Sequence, residues 1–118
     1  MQTKQVIVMR KLKIRKGKMV AQGSHASMAF LSKDYGRPLT DEEQHWLDHD
    51  FTKVCCVVET EEELLNIFNK AKEKGLTAHL ITDSGKTEFH GVPTNTCIAI
   101  GPHESSRIDE ITRHLKLL

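Results

Sequence analysis

No hydrophobic run in the chain is long enough to span a membrane. The one short apolar stretch near its start, residues 6–9, falls well below the core of a secretion signal. The sequence therefore predicts a cytoplasmic protein without a membrane segment. Proline, glycine and serine nowhere gather into a linker, and there is no internal repeat or low-complexity tract. In 118 residues, 38% of them hydrophobic and 28% charged, there is room for one core of ordinary size, so a single domain over 1–118 is expected. Cysteine is sparse. Of the three, Cys55 and Cys56 are neighbours inside an apolar run, where successive side chains face opposite ways and cannot easily bridge. Reduced, buried thiols in a reducing compartment are the expectation.

Acid is missing from one end. Residues 1–18 hold seven Lys/Arg and no Asp or Glu, whereas the remainder holds ten against sixteen; the net charge of +1 conceals this division. A basic end on an otherwise acidic chain suits a phosphate-rich partner gripped at one place, through Coulomb attraction and counterion release.

The pattern of elements is regular. Residues 5–9 are β-branched and apolar and read as a buried strand, which runs into the basic loop 10–18. Residues 18–31 are rich in small and long apolar side chains, which suits a helix packed closely on a sheet. Thr40 with Glu43, and Thr60 with Glu63, are capping boxes, so helices are expected over 41–48 and from 61 until Gly75 stops the second. Strands are expected at 52–58, 77–82 and 96–100, the last two pairing as an antiparallel hairpin, and Ser105 or Ser106 is expected to cap a final helix through residue 114. Strands separated by helices imply right-handed crossovers. The predicted fold is α/β: a single-domain three-layer sandwich with a four-stranded, mixed, mostly parallel sheet flanked by helices.

Ligands in such folds bind beyond the carboxyl ends of strands, so the loops leaving the first and third strands come first. On the helix after the first loop, Lys18, Gln22 and His25 fall at i, i+4 and i+7, a polar stripe on one face. Lys16, Gly17 and Lys18 stand at its N-terminus, where free N–H groups and the helix dipole favour an anion. The loop after the third strand reads Asp83-Ser84-Gly85-Lys86-Thr87. Its Gly-Lys-Thr resembles the end of a nucleotide-binding phosphate loop, but the required earlier glycine is Leu80. His45 and His49 have zinc-compatible spacing without a suitably spaced third ligand. There is no G-x-S-x-G elbow for a serine nucleophile.

Three blocks in order, Lys16-Gly17-Lys18-Met19-Val20-Ala21-Gln22-Gly23-Ser24-His25-Ala26, Leu80-Ile81-Thr82-Asp83-Ser84-Gly85-Lys86-Thr87 and Thr96-Cys97-Ile98-Ala99-Ile100-Gly101-Pro102, resemble the signature blocks of type 2 peptidyl-tRNA hydrolases. The likeness extends to Trp46 and to the ending around residues 108–118, and so covers essentially the whole chain. It implies hydrolysis of the ester between a peptide and the terminal ribose of tRNA, without metal or other cofactor. It implies an active-site region of Lys18, Gln22, Ser24, His25, Asp83, Thr87 and Thr96. In that reading Asp83 or His25 serves the water, Lys18 offers positive charge to the oxyanion or terminal phosphate, and Gln22, Ser24, Thr87 and Thr96 supply hydrogen bonds. Arg10, Lys11, Lys13, Arg15 and Lys16 would meet acceptor-arm phosphates. Several members form dimers, and a homodimer here could use the exposed end of the first helix. Two alternatives are a non-catalytic RNA- or partner-binding protein of the same fold, and a flavodoxin-like nucleotide-binding domain, which lacks a complete phosphate loop.

Overall fold

Strand β1 (Thr3–Arg10) is buried on both faces, with Val6 and Val8 turned one way and Ile7 and Met9 the other, as strand alternation requires. The structure is a computed structural model that describes residues 1–86 and 89–118. After β1 come α1 (Lys16–Ser32), α2 (Asp41–His45), a π-helical turn (Trp46–Asp50), β2 (Lys53–Val58), α3 (Glu61–Glu73), β3 (Ala78–Asp83), β4 (Thr94–Glu104), α4 (Ser105–Thr112) and β5 (Lys116–Leu117). Among the described residues no helix is long and apolar enough to cross a membrane.

Of the three helix starts at which a side-chain cap is expected, two follow that local chemistry. Thr40 accepts from the Glu43 N–H at 3.1 Å and Glu43 accepts from the Thr40 N–H at 2.8 Å, which completes the first capping box. Thr60 accepts from the Glu63 N–H at 3.1 Å, and Gly75, at φ +76°, ends α3. The expected serine cap of α4 is not formed. Glu104 holds the cap position without a side-chain bond, and the Ser105 N–H instead reaches Gln2 O at 2.9 Å, a tertiary partner in place of a local one. The helix expected over 41–48 is α2 running into the π-helical turn, which Phe51 closes in the left-handed region at φ 53°.

The sheet has five strands in the order β3-β4-β1-β2-β5, not the expected four. The extra strand, β5, is a two-residue addition on β2 that carries no periodicity a sequence reading could detect. The sheet is mixed, but it is not mostly parallel: among the described residues β1 and β2 pair in parallel, and β1–β4, β3–β4 and β2–β5 are antiparallel. The helical crossovers do make β1, β2 and β3 co-directional. The difference arises because the β3–β4 hairpin folds inward, so that β4 rather than β3 lies beside β1 and separates the co-directional strands.

Three layers result, as expected. Leu64, Ile67 and Ala71 of α3 and Ile108 and Ile111 of α4 pack on Val6, Val8, Ile98 and Ile100. Each large side chain buried there contributes about 1.5–3 kcal/mol of transfer free energy. On the opposite face Ala26 and Ala29 bring α1 close to Ile7, Met9, Ile81 and Ala99. Trp46 meets Phe30 edge-on at 5.9 Å and donates to Thr52 O at 2.7 Å. Buried Gln5 exchanges two hydrogen bonds with Ser27 and ties α1 to β1. The three thiols are unpaired, but only Cys56 and Cys97 are buried; Cys55 is exposed, because no helix covers that face of β2.

Candidate active site

The site forms where β1, β3 and β4 meet the first half of α1. Lys18 and Gln22, one helical turn apart, both reach Asp83 at the end of β3. Lys18 Nζ is 2.8 Å from Asp83 Oδ2, and Gln22 Nε2 donates to the same oxygen at 2.9 Å. The other oxygen, Oδ1, accepts the Gly85 N–H at 2.7 Å. Behind Gln22, Thr96 Oγ1 donates to Gln22 Oε1 at 2.6 Å and the Cys97 thiol donates to the Gln22 carbonyl at 3.4 Å. Four side chains from three distant segments thus form one network: the hydroxyl donates to the amide, and the amide and the ammonium both donate to the carboxylate.

A β-bulge makes this possible. In the β3–β4 ladder Ile81 pairs with Cys97 and Thr82 with Asn95, so Thr96 is an extra residue without a partner. Regular alternation would set Thr96 on the face of Ile98 and Ile100, among the apolar side chains under α3. The bulge turns Thr96 to the α1 face, and for this reason consecutive residues, Thr96 and Cys97, both meet Gln22.

Side chains of Lys18 and Asp83 are 17% and 10% exposed, so their attraction is little screened by water. The Lys18 ammonium, then the Gly85 N–H, hold the Asp83 carboxyl below the usual carboxylate range, with Gln22 adding to the effect against a smaller opposing push from burial. Asp83 is therefore ionised at neutral pH and a weak base. The start of α1 adds to the positive field: its N-cap, Arg15, makes no side-chain capping bond, and the first turn contains no acid.

The other expected residues divide. His25 is exposed and lines a groove of about 430 Å³ beside the site with Ser24, Met28, Lys33, Ile81 and Thr82. Ser24 back-bonds to Val20 O at 2.9 Å within its own helix. Lys11, Lys13, Arg15 and Lys16 are exposed. Arg10 is turned away, to Glu61 at 3.5 Å and Asn95 O at 3.3 Å on the α3 face. Thr87 lies outside the described residues. The rings of His45 and His49 lie 4.6 Å apart, tilted by 40°, and His45 faces Asp50 at 3.4 Å; no group of three or more metal-ligating side chains occurs among the described residues. Gly23 sits in α1 without interrupting it, with open space where a side chain would project.

Sequence reasoning missed Gly85 as a hydrogen-bond donor and Asn95 as a neighbour of the site. Gly85 was visible only as a turn residue. Nothing in the pattern of Asn95 marks it, since its position depends on the bulge.

A lysine–carboxylate pair backed by an amide and a hydroxyl, held at the edge of a mixed sheet beside a basic loop, gives this α/β fold a preformed charged centre of the kind that stabilises developing charge in catalysis. Comparison with known proteins supplies the family. Residues 3–118 match the family model "Peptidyl-tRNA hydrolase PTH2". A peptidyl-tRNA hydrolase of Methanocaldococcus jannaschii is 45% identical over 117 residues, covering 98% of this chain and 99% of its own. One from Nanoarchaeum equitans is 47% identical over 116 residues, covering 97% of each. A probable peptidyl-tRNA hydrolase 2 of Dictyostelium discoideum is 37% identical over 120 residues, 97% of this chain and 54% of its own. A solved structure, a protein of unknown function from Agrobacterium tumefaciens, shares the fold with a TM-score of 0.61 over 98% of this chain and 97% of its own at 14% identity. The chain belongs to the peptidyl-tRNA hydrolase PTH2 family.

Proposed function

We propose that the chain hydrolyses peptidyl-tRNA in the cytoplasm, cleaving the ester between the peptide and the terminal ribose and so returning tRNA to use. The observation that carries the reading is the Lys18–Asp83–Gln22–Thr96 chain at the sheet edge. Water adds to the ester carbonyl and the carbonyl oxygen becomes an oxyanion; the oxyanion then re-forms the carbonyl, the C–O bond to ribose breaks, and the ribose oxygen leaves with a proton that came from the attacking water. Lys18 faces the developing negative charge or the terminal phosphate. Asp83, with a lowered carboxyl pKa and both oxygens engaged, orients water and Lys18 rather than removing a proton. An aminoacyl ester is activated, so oriented water and one well-placed positive charge suffice, and no step calls for a metal. Gln22 and Thr96 keep the carboxylate aimed, while His25 and Ser24, along the neighbouring groove, meet the acceptor end.

Lys11, Lys13, Arg15 and Lys16, exposed in the loop before α1 and at its start, would hold the acceptor-arm phosphates; Arg10 contributes less because Glu61 and Asn95 occupy it, whereas the Lys11 pair with Glu59 is exposed and weak. A homodimer, the assembly the resemblance implies, would cover the apolar groove of about 500 Å³ between α1 and β2, where Val20, Met28, Phe51 and Leu118 remain exposed.

The test is release of N-acetyl-amino acid from N-acetyl-aminoacyl-tRNA in the presence of chelator. Turnover by the parent, falling at least about tenfold in folded Lys18→Ala and Asp83→Asn variants, is the expected result, equivalent to 1.4 kcal/mol of barrier. Salt-sensitive tRNA binding without turnover would leave a binding protein instead.

A further inference from the structure

On the sheet face opposite the Lys18–Asp83 pair lies a second polar cluster that the proposed chemistry does not use. Thr82 Oγ1 donates to Asn95 Oδ1 at 2.6 Å, and Asn95 Nδ2 donates to Glu61 Oε2 at 3.4 Å. Arg10 Nη1 reaches the Asn95 carbonyl at 3.3 Å and Glu61 Oε2 at 3.5 Å. Asn95 is thus held through both its side chain and its main chain by β1, β3 and the first turn of α3. It is also the residue immediately before the bulge.

The bulge has one close competitor. If β4 paired regularly beyond Cys97, Thr82 would oppose Thr96 and Asp83 would oppose Asn95. Each side chain in that segment would then move to the other face. Thr96 would enter the α3 side of the sheet and leave Gln22 Oε1 without its donor. The Gln22 amide, free to turn, could then present its oxygen to the Asp83 carboxylate. The hydrogen bonds of Asn95 exist only in the bulged register, because only there does its side chain share a face with Thr82 and Glu61.

We infer that Asn95 is a positioning residue: anchored by Thr82, Arg10 and Glu61, it holds the bulge that points Thr96 at Gln22 and so keeps the Gln22 amide group donating to Asp83. The inference of an effect on rate rests on the hydrolase reading; the effect on Gln22 does not.

Two variants and one control test it. Asn95→Ala and Thr82→Val should each lower kcat about threefold to tenfold, the range that one hydrogen bond carries, while KM for N-acetyl-aminoacyl-tRNA stays within about twofold. Thr82→Ser, which keeps the donor, should behave as the parent. In a Gln22→Ala background, Asn95→Ala should cost nothing more, because its route to Asp83 is already cut. Independently of turnover, the Gln22 side-chain amide signals in a nitrogen–proton correlation spectrum should move in Asn95→Ala and Thr82→Val and remain in place in Thr82→Ser. A parent without turnover would overturn the hydrolase reading, and the Gln22 signals would still decide the role of Asn95. Unmoved Gln22 signals in Asn95→Ala, or an equal loss of kcat with and without Gln22, would overturn the inference.

Discussion

Glu43 shows how a single buried carboxylate is accommodated. Its side chain is fully buried, and Arg37 meets it with two nitrogens, at 3.0 and 2.8 Å, while the Thr40 N–H donates to it. Burial pushes the Glu43 carboxyl up, but the Arg37 pair and the Thr40 N–H outweigh that, and the group ends below its ordinary value. Arg37→Ala leaves the charge buried with the Thr40 N–H as its remaining donor and should cost about 2 kcal/mol at neutral pH, less than for a fully buried pair because the guanidinium is partly exposed. The carboxyl pKa is lower folded than unfolded. The stabilisation is therefore fully present above the unfolded carboxylate value and lost as pH falls through the folded one. Denaturant melts of parent and variant should differ at pH 7 and converge once the pH has fallen through the lowered folded value of the Glu43 carboxyl. The capping box at Thr40 was legible in the sequence; the Arg37 fork on Glu43 was not, because it depends on how the loop before α2 turns back.

At the scale of elements, the loop after β3 has the tightest requirement. Gly85 has φ +83°, and a Cβ there would lie 2.2 Å from Val92 O, a main-chain atom that cannot swing aside. Its N–H is the donor to Asp83 Oδ1. Gly85→Ala combines a left-handed conformation costing about 1–2 kcal/mol with that overlap, so the loop must shift. The expected outcome is a kcat loss comparable to that of Asp83→Asn, with a much smaller change in melting temperature because the loop lies outside both cores; single-turnover kinetics beside a thermal melt decides it. A run of small and long apolar residues announced α1, and capping chemistry announced α2 and α3. The bulge at Thr96 left no such trace: the run Thr96-Cys97-Ile98-Ala99-Ile100 reads as uninterrupted strand, and only pairing with β3 makes one residue extra.

At the scale of the molecule, charge is divided between one basic loop and an acidic remainder, and the loop adjoins the N-terminal end of α1 and the Lys18–Asp83 pair. Binding through the four exposed cations, Lys11, Lys13, Arg15 and Lys16, should release counterions from the phosphates they meet. Raising salt from about 50 to about 200 mM should weaken tRNA binding about a hundredfold, and replacing the four with Gln should flatten that dependence; fluorescence anisotropy with labelled tRNA measures both. An unchanged slope in the variant would move the tRNA contact elsewhere on the surface.

Composition and periodicity by themselves determined a single α/β domain, its three layers, the co-direction of the first three strands and a polar stripe of Lys18, Gln22 and His25 on the helix after the first loop; that Asp83 meets the first two of these was implied only by the family resemblance. The rest follow from local chemistry: alternation, helical spacing, caps and crossovers. Only the tertiary structure decided that β4 lies between β1 and β3, that β5 completes the sheet, that Arg10 faces away from the site while Lys18 faces into it, and that Thr96 backs Gln22. Each of these depends on which strand edge meets which. That is a choice among pairings of similar local quality, settled by packing on both faces of the sheet rather than by any one segment.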